Sequence, residues 1–206
     1  MKPWERFFRE RMERLLREKK SLIDIGGGLR ISKEKGNRFE PRNMWIADEI
    51  KTRGIDYKIL DPVPDYGPDI VGDIHDLPFK DNSQEAVCCI AVLEHVIDPF
   101  IASKELHRVL ALRGMCMVYV PFLYYFHAEK GYYGDYWRFT KEGLALMFKK
   151  FSLVEIQPVR GAIGTLVRLT PLGRFRLLEH LAYLADILFK KLHSNQVSGY
   201  FVFLIK

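Results

Sequence analysis

The chain has 206 residues, 48% of them hydrophobic, with a net charge of +6 and a pI near 9.2. That length suits one domain with a sizeable core. With no apolar leader and no 18-residue apolar run, neither a secreted nor a membrane-spanning protein is expected, and a cytoplasmic one is. The cysteines, Cys88, Cys89 and Cys116, lack metal-ligand spacing and read as buried thiols, so no metal site is expected. A basic balance without an RNA-binding module is weak support for a nucleic-acid partner.

In chain order, the first expected element is an amphipathic helix over residues 3–20, with Trp4, Phe7, Phe8, Met12, Leu15 and Leu16 on its apolar face. Glu5/Arg9, Glu10/Arg14 and Glu13/Arg17 stand four apart in the stabilising order. This reads as a packing helix with a solvated outer face. Then comes Ser21-Leu-Ile-Asp-Ile-Gly-Gly-Gly28, an apolar run that ends in an acid and breaks into three glycines. Apolar residues at 22, 23 and 25 predict a buried strand. Glycine lets the chain turn sharply and lets a ligand lie against backbone N–H groups. That is the build of a nucleotide or nucleoside site at the carboxyl end of a first strand. Gly26 and Gly28 supply two glycines of G-x-G-x-x-G, but the third position is Ile31. Residues 29–38 make a poor helix start, so a loop over 29–39 precedes a helix at about 40–53. No helix dipole is then in place for a pyrophosphate, which disfavours a nicotinamide dinucleotide.

Tyr57–Asp61 predicts a second strand ending in an acid, the position that accepts hydrogen bonds from ribose hydroxyls. Asp69–Asp73 predicts a third strand, again ending in an acid and followed by a Leu-Pro-Phe turn. Residues from Glu85 predict a fourth strand running into Leu93-Glu94-His95. Helical spacing covers Phe100 to Leu112, and Gly114–Pro121 predicts a fifth strand.

Asp24-x-Gly26-x-Gly28 after a first strand resembles motif I of the class I S-adenosylmethionine-dependent methyltransferases. The runs G-D-I-x-x-L-P-F (72–79), V-L-E-H-V-x-D-P (92–99) and E-L-x-R-V-L-x-x-x-G (105–114) are similar to the "type 11", or ubiquinone-biosynthesis-like, branch. The resemblance covers residues 21–150 and departs at Ala111-Leu-Arg-Gly114, where the family has Lys-Pro-Gly-Gly. It implies an α/β fold: a Rossmann-like seven-stranded sheet of order 3-2-1-4-5-7-6, strand seven antiparallel, with helices on both faces. It also implies S-adenosylmethionine as cofactor. Carried over residue by residue, Gly26 and Gly28, with Gly27 between them, abut the methionine portion, which Asp24 orients directly or through water. Asp61, followed by Pro62, takes the ribose hydroxyls; Asp73 takes the adenine amino group; Ile74 covers the adenine face; Ala91 lies near the sulfonium. Any one of these acids could merely cap a strand-end turn, but three in succession fit that reading poorly.

The acceptor side is expected in the aromatic segment Pro121–Thr140, which resembles a segment of a subset of these enzymes encoded near sugar and cell-surface polysaccharide genes. Thr140 is the expected N-cap of a helix. Tyr132, Tyr133, Tyr136 and Trp137 could wall a pocket. Asp135 and Arg138, on the same substrate-binding segment, are expected to pair and pin the loop. His127 is the candidate general base, the alternative being a histidine that holds the loop in place. Ala91-Val-Leu-Glu94 differs from the N-P-P-Y type sequence of enzymes acting on base amino groups, which lowers the nucleic-acid reading further. The expected reaction is in-line methyl transfer to an oxygen of a small-molecule or glycan-linked substrate. The alternatives are a lipid-like substrate at a membrane surface, or a non-catalytic binding module of the same fold.

Phe151–Val159 and Val197–Ile205 predict strands six and seven, with a helical insertion over about 161–195 between them. A helix is expected from Thr170-Pro171 to about Leu192, with Leu177, Leu178, Leu181, Leu184, Ala185 and Leu188 in one stripe and basic residues at its ends. The insertion could be a lid, a homodimer surface or a peripheral membrane dock, and packing on its own domain is the plain expectation.

Overall fold

The computed structural model describes residues 1–36 and 38–206; Asn37, within the expected loop at 29–39, lies outside the described residues. Seven strands form one sheet: β1 (Ser21–Ile25), β2 (Asp56–Asp61), β3 (Ile70–Val71), β4 (Gln84–Ile90), β5 (Leu110–Pro121), β6 (Leu153–Val159) and β7 (Gly199–Ile205). Their order is β3-β2-β1-β4-β5-β7-β6. The first five pair in parallel, and β7 runs antiparallel to both β5 and β6. The order reverses between β1 and β4, so the crevice for a ligand opens at the carboxyl ends of those strands.

Alternation along the strands divides the core in two. Met115 and Met117 of β5 pack with Met12, Leu15 and Leu16 of α1 (Pro3–Glu18) and with Ile46 of α2 (Met44–Arg53). Cys116 and Val118 face the other way, toward Leu106 and Val109 of α3 (Pro99–Val109) and Leu144 of α4 (Lys141–Met147). Cys88 and Cys89 fall on opposite faces as expected, and burial pushes both thiols up, leaving them unreactive. Thr140 caps α4 by accepting the Gly143 N–H at 3.1 Å.

Three elements differ from expectation. The ion pairs of α1 run the other way: Arg9 pairs with Glu13, and Arg14 with Glu18 at 3.1 Å. Glu5 is engaged elsewhere, accepting the Lys2 backbone N–H at 3.0 Å. Helix α3 stops at Val109 because Leu110 already pairs with Gln84, so β5 begins four residues early and passes an irregularity before Ala86. The expected helix from Thr170 to Leu192 is two pieces: a short 3-10 turn, Pro171–Arg174, and α6 (Arg176–Leu188), preceded by α5 (Ala162–Arg168). Phe175 is extended between them, and Thr170 caps only the 3-10 turn.

Helix α6 also faces the unexpected way. Leu177, Leu181, Leu184 and Leu188 are 69, 50, 47 and 75% exposed, while its buried positions are Ala182 and Asp186. The Asp186 carboxylate accepts the N–H groups of Ile163 (2.8 Å) and Gly164 (2.9 Å), satisfying the open amino end of α5 from another helix. Arg160 donates to Glu179 at 2.8 Å. These polar anchors turn the leucine stripe outward. Among the described residues no helix is long and apolar enough to cross a membrane.

Candidate active site

The glycine turn owes its composition to crowding. Gly26 has φ +74°, and a Cβ there would lie 2.6 Å from Val92 Cγ2. A Cβ on Gly28 would lie 2.2 Å from the Ile90 carbonyl oxygen, which is backbone and cannot swing away. β1 and β4 therefore approach closely at their carboxyl ends, beside Ala91, itself held at φ +56° with its N–H on Tyr119 O at 3.0 Å.

The three acids stand along this edge. Asp24 is fully buried; its Oδ2 accepts the Leu29 N–H (3.1 Å) and the Tyr57 hydroxyl (2.8 Å), and its Oδ1 has no hydrogen-bond partner among the described residues. Burial outweighs those bonds and pushes its carboxyl up to about 7. Asp61 ends β2 with its Oδ1 on the Val63 N–H at 2.8 Å, and burial raises it too. Asp73 is exposed and binds His75 through Oδ1 alone, at 2.9 Å to the backbone N–H. Ile74 next to it is buried. An orphaned buried oxygen, two acids with an oxygen to spare, an apolar wall and a turn stripped of Cβ atoms fit a nucleoside carrying an amino-acid tail. Asp24, Gly26, Gly27, Gly28, Asp61, Pro62, Asp73, Ile74 and Ala91 could hold it.

The acceptor-side loop, 122–140, is bound onto the turn that follows β4. Tyr136 and Trp137 both donate backbone N–H groups to the Glu94 carbonyl, at 2.8 and 3.2 Å, and the Trp137 indole donates to Val96 O at 3.0 Å. Asp135 and Arg138 pair at 2.8 Å as expected, and Arg138 also reaches Tyr125 O at 3.0 Å. Asp135 accepts the His127 N–H at 2.8 Å, and the guanidinium beside it holds its carboxyl down at about 2. In this conformation Asp135, Trp137 and Arg138 build the loop, and Tyr136 is half exposed. Tyr133 is brought inward, its ring 4.5 Å from that of His95. Tyr132 stacks on Tyr66 at 5.3 Å, so the turn after β2 meets the loop after β5 across the ends of β1 and β4.

His127 points its Nε2 toward Glu94 Oε1, 3.6 Å away, and Nδ1 lies 3.1 Å from Tyr125 O. The Glu94 carboxylate beside it is the largest influence and raises the His127 pKa above the ordinary 6.5. Glu94 is fully buried, and neither of its carboxylate oxygens makes a hydrogen bond among the described residues. His95 completes the cluster, its Nε2 3.8 Å from Glu94 Oε1. The sequence reading assigned no role to Glu94 or His95. Their signal was position: an acid and a base just past β4, at the same sheet edge as the loop that follows β5.

A family model described as a methyltransferase domain matches residues 51–118, about a third of the chain, from α2 into β5. Sequence comparison with curated proteins finds no match. Among solved structures, a SAM-dependent methyltransferase from Archaeoglobus fulgidus superposes with a TM-score of 0.60 at 14% identity, covering 98% of this chain and 94% of that one. A chain from the complex of the Haloferax volcanii Trm112 methyltransferase activator with its candidate methyltransferase gives 0.57 at 15% identity, over 98% and 91%. An S-adenosylmethionine-dependent methyltransferase from Mesorhizobium loti gives 0.51 at 11%, over 95% of each chain. At such identities these structures speak for the fold, while the family match covers the segment that carries Asp61, Asp73 and Glu94. The fold is thus that of these solved methyltransferases, and with the methyltransferase-domain match over residues 51–118 it speaks for an enzyme with S-adenosylmethionine as its cofactor.

Proposed function

We propose that the enzyme methylates an oxygen of a small-molecule or glycan-linked acceptor, with His127 taking the hydroxyl proton. The observation that carries this reading is the buried Glu94 carboxylate 3.6 Å from His127 Nε2, at the edge that holds the glycine turn. Bound S-adenosylmethionine supplies an activated methyl on a sulfonium. As the acceptor oxygen takes that methyl, the hydroxyl proton would pass to His127 Nε2. Asp135 and the Tyr125 carbonyl fix the Nδ1 side of the ring, and Glu94 stabilises the imidazolium that results. Asp24, Asp61 and Asp73 hold the donor, while Tyr133 and the loop around it exclude water from the line of transfer.

A second reading is favoured by a specific observation: the acceptor is borne on a lipid at an anionic membrane surface. Leu166 and Leu169 of the α5 region, Leu172 and Phe175 add exposed apolar side chains to the α6 stripe. Exposed Arg174, Arg176, Lys190 and Lys191 flank it, a pattern that suits anionic headgroups and repels a second copy of itself. Arg168 at the end of α5 donates to the Tyr124 hydroxyl at 3.2 Å, linking this face to the acceptor loop.

The test traces radiolabelled methyl from the donor into sugar, glycan-linked and lipid-linked acceptors, with and without phosphatidylglycerol vesicles. Label recovered as an ether or an alkali-labile ester supports transfer to oxygen; label on nitrogen or carbon sinks it. His127→Asn should lower kcat at least tenfold, in line with loss of a general base (~10²–10⁴), with S-adenosylhomocysteine affinity unchanged. Cosedimentation with the vesicles, lost in the Leu181→Glu/Leu184→Glu variant, supports the lipid-borne acceptor.

A further inference from the structure

We infer that Glu94, His95 and His127 form a binding site for a divalent transition-metal cation, with an open ligand position for the acceptor oxygen. The argument begins with proton inventory. His95 Nδ1 lies 2.6 Å from Gly134 O, a carbonyl that can only accept, so Nδ1 carries the hydrogen and Nε2 keeps its lone pair. His127 Nδ1 faces Tyr125 O at 3.1 Å and Asp135 Oδ2 at 3.2 Å, again acceptors, so in the neutral ring Nδ1 carries the hydrogen and Nε2 keeps a lone pair. Both lone pairs aim at Glu94 Oε1, from 3.8 and 3.6 Å. With both rings neutral, three electron-rich atoms thus converge around a carboxylate that is 0% exposed and makes no hydrogen bond among the described residues. Such a carboxylate is costly unless a positive charge joins it.

The spacing suits a cation. Ligand atoms about 2.1 Å from a common centre at tetrahedral angles lie about 3.4 Å apart, and one atom from each residue here falls within 4.8 Å of the others. The second shell is already in place: each imidazole is oriented by a backbone carbonyl, and His127 also by Asp135. Two imidazoles and one carboxylate select zinc, manganese, iron or cobalt over the oxygen-seeking magnesium and calcium. Three protein ligands leave a position open, as catalytic sites do. His95 and His127 are partly exposed, which leaves that position within reach of solvent. A hydroxyl held there loses its proton to solvent water more readily. With a cation bound, His127 is its ligand and the acceptor proton leaves to solvent; with none bound, His127 takes that proton as proposed above. This deepens the proposed transfer to oxygen and rests on it for the acceptor's place, but the ion site itself can be tested alone.

The experiment titrates the chelator-stripped full chain with Co²⁺, followed by visible absorption and calorimetry, with Mg²⁺ as the hard-cation control. One equivalent of Co²⁺ bound with ligand-field bands is expected, and Mg²⁺ should not compete. Glu94→Gln and His127→Asn should each weaken Co²⁺ binding by at least about 100-fold, beyond the ~10–100-fold that losing a second-shell partner costs. Thermal shift with S-adenosylhomocysteine verifies that both variants keep the fold and the donor site. No stoichiometric Co²⁺ in the parent chain, or unchanged binding in the two variants, would overturn the site. Stripped enzyme that methylates an oxygen acceptor at full rate would overturn the cation's role while leaving the methyl-transfer reading standing. Co²⁺ bound as expected with label found only on nitrogen would sustain the site and sink the oxygen acceptor.

Discussion

Asp24→Asn should make the ligand-free protein more stable at pH 8 and less able to hold its donor. Burial moves this carboxyl from its ordinary 3.8 to about 7, against the pull of Tyr57 and Leu29. In the unfolded chain the group ionises near 3.8, so between the two values the folded protein binds more protons than the unfolded one. Stability therefore falls as pH rises through that window and stays lowered above it, by about 4 kcal/mol in all. Asparagine keeps an oxygen for the Leu29 and Tyr57 donors, but its amide replaces Oδ1, and an unmet NH₂ costs about 1–3 kcal/mol. The net gain at pH 8 is about 1–3 kcal/mol, or roughly 2–4 °C per kcal/mol for a chain of this size. Calorimetry of both proteins from pH 5 to 8 gives the difference in Tm, in which every other titration cancels. That difference should grow with pH. A difference that stays flat, or shrinks as pH rises, would refute the assignment of a burial penalty to Asp24. Binding of S-adenosylhomocysteine, measured in parallel, should weaken at least tenfold in the variant.

Other expectations are simpler. Gly28→Ala places a methyl against the Ile90 carbonyl and should cost at least about 2 kcal/mol, read as a lower urea midpoint at unchanged m. Asp61→Ala removes the acid at the end of β2 and should weaken S-adenosylhomocysteine by at least about 100-fold, as two hydrogen bonds to a charged group imply; calorimetric titration decides it. Asp186→Ala leaves the Ile163 and Gly164 N–H groups buried without an acceptor, so amides of 161–188 should exchange faster while those of β4 and β5 hold. Equal acceleration in the sheet would mean that α5 and α6 are part of the global folding unit.

The sheet was legible because each parallel strand carries its own punctuation. Asp24, Asp61 and Asp73 each follow an apolar run, and the structure lines them along one carboxyl edge. Adjacent Cys88 and Cys89 split between two cores as a period of two requires. Periodicity says that Leu177, Leu181, Leu184 and Leu188 share a face, but not which way that face points. The direction was set by Asp186 and Glu179, whose partners lie on α5 and at Arg160, and a single sequence does not announce such long-range polar pairs. Glu94 was hidden for a similar reason: its burial depends on a loop that closes over it from residues 134–137.

The Tyr66–Tyr132 stack bridges the rim of the donor crevice from one loop to the other. One ring pair of this kind contributes only about 0.5–1.5 kcal/mol, and with the Tyr132 hydroxyl donating to Asp65 at 3.4 Å it makes a light clasp. Tyr132, however, shares its loop with His127 and Tyr133, and whatever settles that loop also shuts the clasp. If the proposed site holds, seating an acceptor would prolong the donor's residence, and the demethylated product would depart only after the acceptor side has let go. The architecture favours an ordered kinetic scheme, donor first on and last off.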